Sequence, residues 1–330
     1  MRMPQGKKAT IKDVAREAKV SISVVSYVLN SSTEKSISPA TRDRVMEAAK
    51  RLQYVPNRAA SGMRRKHSMV IGVVSYWELD VLVFTDMMKG ITRKSSAANY
   101  RILFCHRESK QDDVSYLQYC QDGSIDGIVF IAPYESLGLI DEAFHIRQMK
   151  EAKVPFVVLN GSTHEDGVSY INVDYCGSTY LATSYLIGKG HKDIAYVAPL
   201  ELHYTELERR LQGYQDAMSN SRLPVRCHDV KELPDCLHGL KAVVTNKSDT
   251  AHSVLQAAHK LGIDVPRELA VIAANTEAYS SYLFPPLSTV RIPAERMGEL
   301  AVETLLEQLT GAAEPKLIMP PCALEIRQTC

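Results

Sequence analysis

Apolar residues recur at helical spacing three times in the first 55 positions. The runs are Ile11, Val14, Ala15 and Ala18; then Val24, Val25, Val28 and Leu29; then Val45, Ala48, Ala49 and Leu52. Each run follows a helix-start signal. Thr10 with Asp13 three residues on has the form of a capping box, and Ser21 opens the second run. Ser38-Pro39 sets a capping hydroxyl before the proline best tolerated in a first helical turn. Only Lys19-Val20-Ser21 separates the first two predicted helices, which is the tight connection of a helix-turn-helix. From Met69 onward the period changes. Predicted strands at 70–75, 102–105, 127–131 and 156–159 alternate with predicted helices such as 84–98 and 111–122. A second series follows, with strands at 193–198, 241–245 and 269–274 and helices near 175–189, 205–219 and 249–261. Repeated βα units imply parallel sheets flanked by helices, with ligands at the C-terminal strand edges. Two such series imply two similar lobes behind an all-α head.

Charge sharpens this division. The 330 residues carry a net charge of only +1, but residues 1–67 hold 15 Lys and Arg against 5 Asp and Glu, so the remainder is net −9. A basic head on an acidic body is the asymmetry of a chain that meets a polyanion at one end. Seven cysteines (105, 120, 176, 227, 236, 322 and 330) are scattered without metal-ligand spacing and read as reduced thiols of a cytoplasmic protein. No signal peptide begins the chain and no apolar run reaches about 18 residues, so no membrane partner is expected. Catalytic signals are equally sparse. Gly188-Lys189-Gly190-His191-Lys192 lacks phosphate-loop spacing, the histidines form no metal motif, and there is no nucleophile elbow. The expectation is neither an enzyme nor a protein with a cofactor or metal.

Two strings carry a more specific signal: ATIKDVAREAKVSISVVSYVLN, from Ala9, and SPATRDRVMEAAKRLQYVPNRAA, from Ser38. They resemble the head of the lactose/galactose-repressor family almost position for position. Further matching stretches run through the body: DGIVFIAP (126–133), INVDYCGS (171–178), YLIGKGHKDIAYV (185–197), ERRLQGYQDAM (208–218) and LGIDVPRELAVI (261–272). The resemblance implies a periplasmic-binding-protein-like pair of lobes. It divides the chain into a head at 1–56 and a hinge at 57–67. The N-terminal lobe is 68–166 plus 294–317, and the C-terminal lobe is 167–293 plus 318–330. Crossings between lobes fall near 165–168, 291–294 and 317–320.

For the head, helix geometry and resemblance together nominate Ile22, Ser23 and Tyr27 for base contact, and Thr10, Ser21, Ser26 and Asn30 for phosphate contact. Tyr54, Asn57, Arg58, Ala60 and Met63 follow from the resemblance. The segment 57–64 matches the family's hinge helix, which is too short to persist alone in water. Met63 stands where the family inserts a leucine into the minor groove as an apolar wedge. Three departures stand out: Lys19 for a common Gly, Val24 for Thr, and Tyr27 for an Arg that pairs with guanine. The expected partners are near-palindromic double-stranded operator DNA, a second copy of the chain and a small-molecule effector.

For the effector, the resemblance nominates Tyr76, Trp77, Phe84, Asn160, Arg210, Lys247 and Asn275. Asn160 and Asn275 stand where the family has Asp, and Lys247 stands in or beside a third Asp position. Two amides and a local positive charge therefore replace carboxylates, which turns the expectation toward an anionic ligand held by Arg210 and Lys247. The reading left beside this one is control by a protein co-regulator, with a degenerate effector pocket.

Overall fold

The computed structural model describes residues 9–29, 37–54, 67–76, 82–106, 113–132, 141–311 and 314–330. It divides into two units, 1–68 and 69–330.

The head unit contains α1 (Ile11–Ala18), α2 (Ile22–Leu29) and α3 (Pro39–Arg51). Asp13 receives the Thr10 backbone N–H at 3.0 Å and the Thr10 hydroxyl at 2.6 Å, so a first-turn carboxylate fastens the entry to α1. Lys19 ends α1 in the left-handed conformation, with φ 53° and ψ 48°. A side chain there costs about 1 kcal/mol relative to glycine, which explains why glycine suits this turn. One β-branched residue from each helix, Val14, Val25 and Val45, is fully buried where the three meet.

In the body, the first sheet is built from β1 (Val70–Ser75), β2 (Arg101–His106), β3 (Gly127–Ile131), β4 (Phe156–Leu159) and β5 (Ser169–Ile171). The second contains β6 (Ile194–Ala198), β7 (Cys227–Asp229), β8 (Ala242–Thr245), β9 (Ala270–Ala273) and β10 (Ser288–Arg291). Two C-terminal strands complete them: β11 (Leu317–Ile318) beside β5, parallel, and β12 (Ala323–Glu325) beside β10, antiparallel. The orders are β2-β1-β3-β4-β5 and β7-β6-β8-β9-β10, the same doubly wound order twice. The central strands β3, β6 and β8 are buried along their whole length, as parallel strands covered on both faces must be.

Helices α4 (Leu82–Ala97), α5 (Leu117–Gln121) and α6 (Glu142–Glu151) belong to the first lobe. Helices α7 (Tyr175–Gly188), α8 (Thr205–Asn220) and α9 (Ser248–Lys260) belong to the second. Helix α10 (Ala294–Leu309) returns to the first lobe and packs on α4. No helix among the described residues is long and apolar enough to cross a membrane.

Two expectations need correction. The first crossing does not fall at 165–168, because Ser169–Ile171 still pairs with β4 in the first sheet. The chain leaves that sheet only after Ile171, and residues from 167 up to that strand's end belong to the N-terminal lobe. Ile318 likewise pairs with Ile171, so the last crossing follows it. The predicted helix over 111–122 shrinks to Leu117–Gln121 among its described residues. Asp113 instead accepts the Ser115 N–H at 2.9 Å, a local turn that competes with helix.

Helices α7 and α8 approach closely because Gly213 has no side chain. A Cβ at Gly213 would lie 2.0 Å from the Cys176 carbonyl oxygen, which is backbone and cannot rotate away. Gly213→Ala is therefore expected to destabilise the body by about 3 kcal/mol. Urea unfolding of the full chain measures this, and an unchanged midpoint would contradict the close approach.

Candidate effector cavity and DNA-reading helix

In the head, the Ser21 hydroxyl oxygen accepts the Val24 N–H at 3.3 Å and starts α2. Val25 and Val28 turn inward, which leaves Ile22 and Ser23 exposed on the first turn of α2 and Ser26 and Tyr27 half-buried beside them. Tyr54 follows α3 and packs on the head core, its N–H donating to the Ala49 carbonyl at 2.9 Å. Thr10 lies at the start of α1. Helix N-termini present free N–H groups and the positive end of the helix dipole, which suits phosphate. Asn30, Asn57, Arg58, Ala60, Met63 and the expected hinge at 57–64 lie outside the described residues.

In the body, the strand order of the second sheet reverses between β6 and β8. A cavity of about 330 Å³ opens beyond their C-terminal ends. Its described lining includes Pro199 and Leu202 after β6, Asn246 and Lys247 after β8, and Glu206 on α8. Asn160, Ser162, Asn172 and Tyr175 close it from the other lobe and the crossing segment. Asn160 sits at φ 57°, and its side-chain oxygen accepts the Tyr175 hydroxyl at 3.0 Å. Asn172 exchanges two hydrogen bonds with the Gly161 backbone at 3.0 and 3.1 Å, which fixes the loop after β4. Asn246 is 3% exposed, and among the described residues its Oδ1 is buried without a hydrogen-bond partner. Leaving such an acceptor unmatched costs about 1–3 kcal/mol, so a ligand N–H or O–H would be favoured there.

Arg210, one turn along α8 from Glu206, is 1% exposed. Its Nε donates to Glu206 Oε1 at 3.2 Å, and its Nη1 donates to Ser178 Oγ at 3.1 Å and to the Ala274 carbonyl at 2.8 Å. The guanidinium also lies over the Tyr175 ring, 4.8 Å from its centroid. Glu206 has a second cation, with Lys247 Nζ 3.4 Å from its other oxygen. Burial alone would raise the Glu206 carboxyl, but Arg210 and Lys247 outweigh it and hold the group below the ordinary carboxylate range. Asn275 accepts the Ser248 N–H at 2.8 Å and donates to Glu277 at 2.9 Å, so it anchors the start of α9. Burial pushes the Glu277 carboxyl up, against the Asn275 hydrogen bond.

The structure thus separates the nominated effector residues. Asn160 and Lys247 line the cavity, while Arg210 and Asn275 lie buried behind it and are bonded to protein groups. Tyr76 and Phe84 are in the first lobe's core instead. Tyr76 reaches His145 at 3.3 Å on the α6 side of the sheet, and Phe84 packs with Met87 and Ile91 on the inward face of α4. Strand alternation puts Tyr76 with Val74, and the i, i+3, i+7 spacing puts Phe84 with its core neighbours. Trp77 lies outside the described residues. Glu206, Asn246 and Tyr175 were not nominated. Glu206 had a signal, since it lies four residues before Arg210 on one helix, the spacing of an ion pair. The two cations expected to hold an anionic ligand, Arg210 and Lys247, both pair with the Glu206 carboxylate.

Comparison with known proteins bears directly on this arrangement. Residues 10–57 match the family described as bacterial regulatory proteins, lacI family, and residues 183–330 match the periplasmic binding protein-like domain. The head thus carries the lacI-family match and the second half of the body the binding-protein match. The catabolite control protein A of Priestia megaterium is 26% identical over 97% of this chain and 98% of its own. The ribose operon repressor of Haemophilus influenzae is 27% identical over 96% and 97%. Among solved structures, the complex of the transcriptional regulator CelR with cellobiose matches at 25% identity and a TM-score of 0.67, covering 98% of this chain and 100% of that one. A lac repressor dimer bound to operator and an anti-inducer superposes with a TM-score of 0.78 at 22% identity, over 98% of this chain and 99% of that one, and so shares its fold. The proteins this chain resembles are DNA-binding transcription regulators with effector-binding bodies, not enzymes.

In this body, Arg210→Met would leave Glu206 buried without its closest cation. The expected cost near neutral pH is about 3–5 kcal/mol. A carboxyl held below its ordinary value contributes stability above that value and loses it as pH falls through the lowered one. The deficit of Arg210→Met should therefore shrink when unfolding is measured below the ordinary glutamate value of 4.5. A deficit independent of pH would contradict the pairing.

Proposed function

We propose that this regulator represses transcription as a cytoplasmic homodimer whose two heads read a near-palindromic operator, and that a small polar molecule in the body's cavity controls it. The observation that carries the effector reading is the cavity at the strand ends, whose wall includes Asn160, Lys247 and Asn246, the last with a buried Oδ1 that has no partner among the described residues. Names of relatives support a small polar metabolite: one is a ribose operon repressor and another is a complex with cellobiose. Ile22 and Ser23, exposed on the first turn of α2, are the proposed base readers, with Tyr27 beside them and Thr10, Ser21, Ser26 and Tyr54 at the backbone. Asn30 is a further proposed phosphate contact, and the proposed hinge contacts are Asn57, Arg58, Ala60 and Met63, with Met63 as the minor-groove wedge. Tyr282 and Phe284, 87% and 95% exposed, supply apolar surface for a subunit contact. Asn160 and Lys247 are the proposed effector contacts, joined by Asn246. Control by a protein co-regulator would need no occupant in this cavity.

Selection from a randomised duplex pool tests the DNA reading, followed by a screen of neutral sugars and nucleosides for release or tightening of the recovered operator. A near-palindrome is expected, with Met63→Ala weakening binding about tenfold. Only salt-sensitive, sequence-indifferent binding would contradict operator recognition. No response to any compound, with a response to cell lysate protein, would move control to a protein co-regulator.

A further inference from the structure

We propose that Glu206 is the residue that makes this cavity select against anions, by pairing with both of the cations that would otherwise hold one. The inference rests on reading the cavity as the effector site. Arg210 and Lys247 reach the two oxygens of one carboxylate, at 3.2 and 3.4 Å. Arg210 has its remaining described hydrogen bonds on Ser178 and the Ala274 carbonyl, and it is closed to solvent. An incoming phosphate or carboxylate would have to displace Glu206 from both cations, in a place where its own charge meets that of Glu206. Further acids stand close by. Asp249 lines the cavity and receives the Tyr279 hydroxyl, and Glu277 lies beside Asn275 with Asp249, Lys247 and Arg210 in range. The remaining cation of the lining, Arg209, is exposed, where water and salt screen it. Three basic residues are thus met by three acids, and the acceptors directed at a ligand favour neutral donors over anions.

Glu206 is four residues from Arg210 on α8, and the pair is held by that helix whatever the effector is. Replacing the carboxylate by its isosteric amide keeps the shape and one acceptor but removes the charge. Lys247 on the cavity wall and Arg210 buried behind it then have no Glu206 charge between them. Charge-assisted hydrogen bonds are worth enough for the gain to be large.

The test measures binding of inorganic phosphate to the full-length protein by calorimetric titration and thermal shift. Wild type is expected to bind phosphate only weakly, and Glu206→Gln at least about tenfold more tightly, with a dependence on salt. Adding Lys247→Gln to that variant should remove the gain, which places the phosphate in the cavity. If Glu206→Gln does not fold, Lys247→Gln alone still decides. It removes one positive charge from the cavity wall and leaves Glu206 paired with Arg210 alone, so the cationic glucosamine should bind more tightly than it does to wild type. Phosphate binding to wild type as tight as to Glu206→Gln, or no gain in either variant, would overturn the proposal. Its failure is separable from that of the effector reading. A wild type that responds to a neutral sugar while Glu206→Gln gains no phosphate affinity rejects only the role of Glu206. A phosphate gain with no compound acting on operator binding rejects only the effector reading.

Discussion

A guanidinium taken out of water has to find acceptors within the protein, and the second lobe brings three of them to Arg210. Its acceptors come from different elements: Glu206 from its own helix, Ser178 from α7, and the Ala274 carbonyl at the end of β9. The Tyr175 ring beneath it belongs to the first turn of α7, just after the crossing from the first lobe. These bonds are available only because α8 lies against α7 at Gly213, where a side chain would collide with the Cys176 carbonyl. The Tyr175 hydroxyl then carries the arrangement to Asn160 in the first lobe. Backbone approach, buried charge and the contact across the cleft are parts of one constraint.

The same cleft contains a polar group in the opposite condition. Arg210 donates three hydrogen bonds to protein groups, whereas the Asn246 oxygen, equally buried, meets no donor among the described residues. The contrast separates framework from recognition: Arg210, Asn275 and Ser248 hold the strand and helix ends in place, and Asn246, Asn160 and Lys247 face the space they enclose. A pocket of this kind orients a ligand by few polar groups on a fixed scaffold. An occupant that bridges Asn246 and Asn160 would favour one relation of the lobes over another, and only such differential contact can shift a conformational equilibrium.

Much of this is legible along the chain, and the failures have physical causes. Long apolar runs such as GIVFI and the capped helices of the head are local signals, and they declare themselves in β3, α1 and α3. Strand β5 does not, because three residues after a loop carry no periodicity; only pairing with β4 makes Ser169–Ile171 a strand. The two-residue β11 is invisible for the same reason. Tyr76 and Phe84 were assigned to the cleft by analogy with related chains, although alternation along β1 and the spacing of α4 already directed them to the core. Lys247 read as a free cation because its partner, Glu206, is 41 positions away in sequence. The unpartnered Asn246 oxygen had no sequence signal, since an absent partner exists only in three dimensions.

The central claim is that an occupant touching Asn246 is sensed by the DNA-binding head. The most direct measurement is a linkage titration: affinity of the full-length protein for its selected operator, with and without a saturating compound from the neutral screen, in wild type and Asn246→Ala. Wild type should change its operator affinity by about 5-fold or more, and operator should change the compound's affinity by the same factor. Asn246→Ala should bind operator as wild type does and lose the response at the same compound concentration. A response of equal size in both proteins, or one that is not reciprocal, would contradict the account.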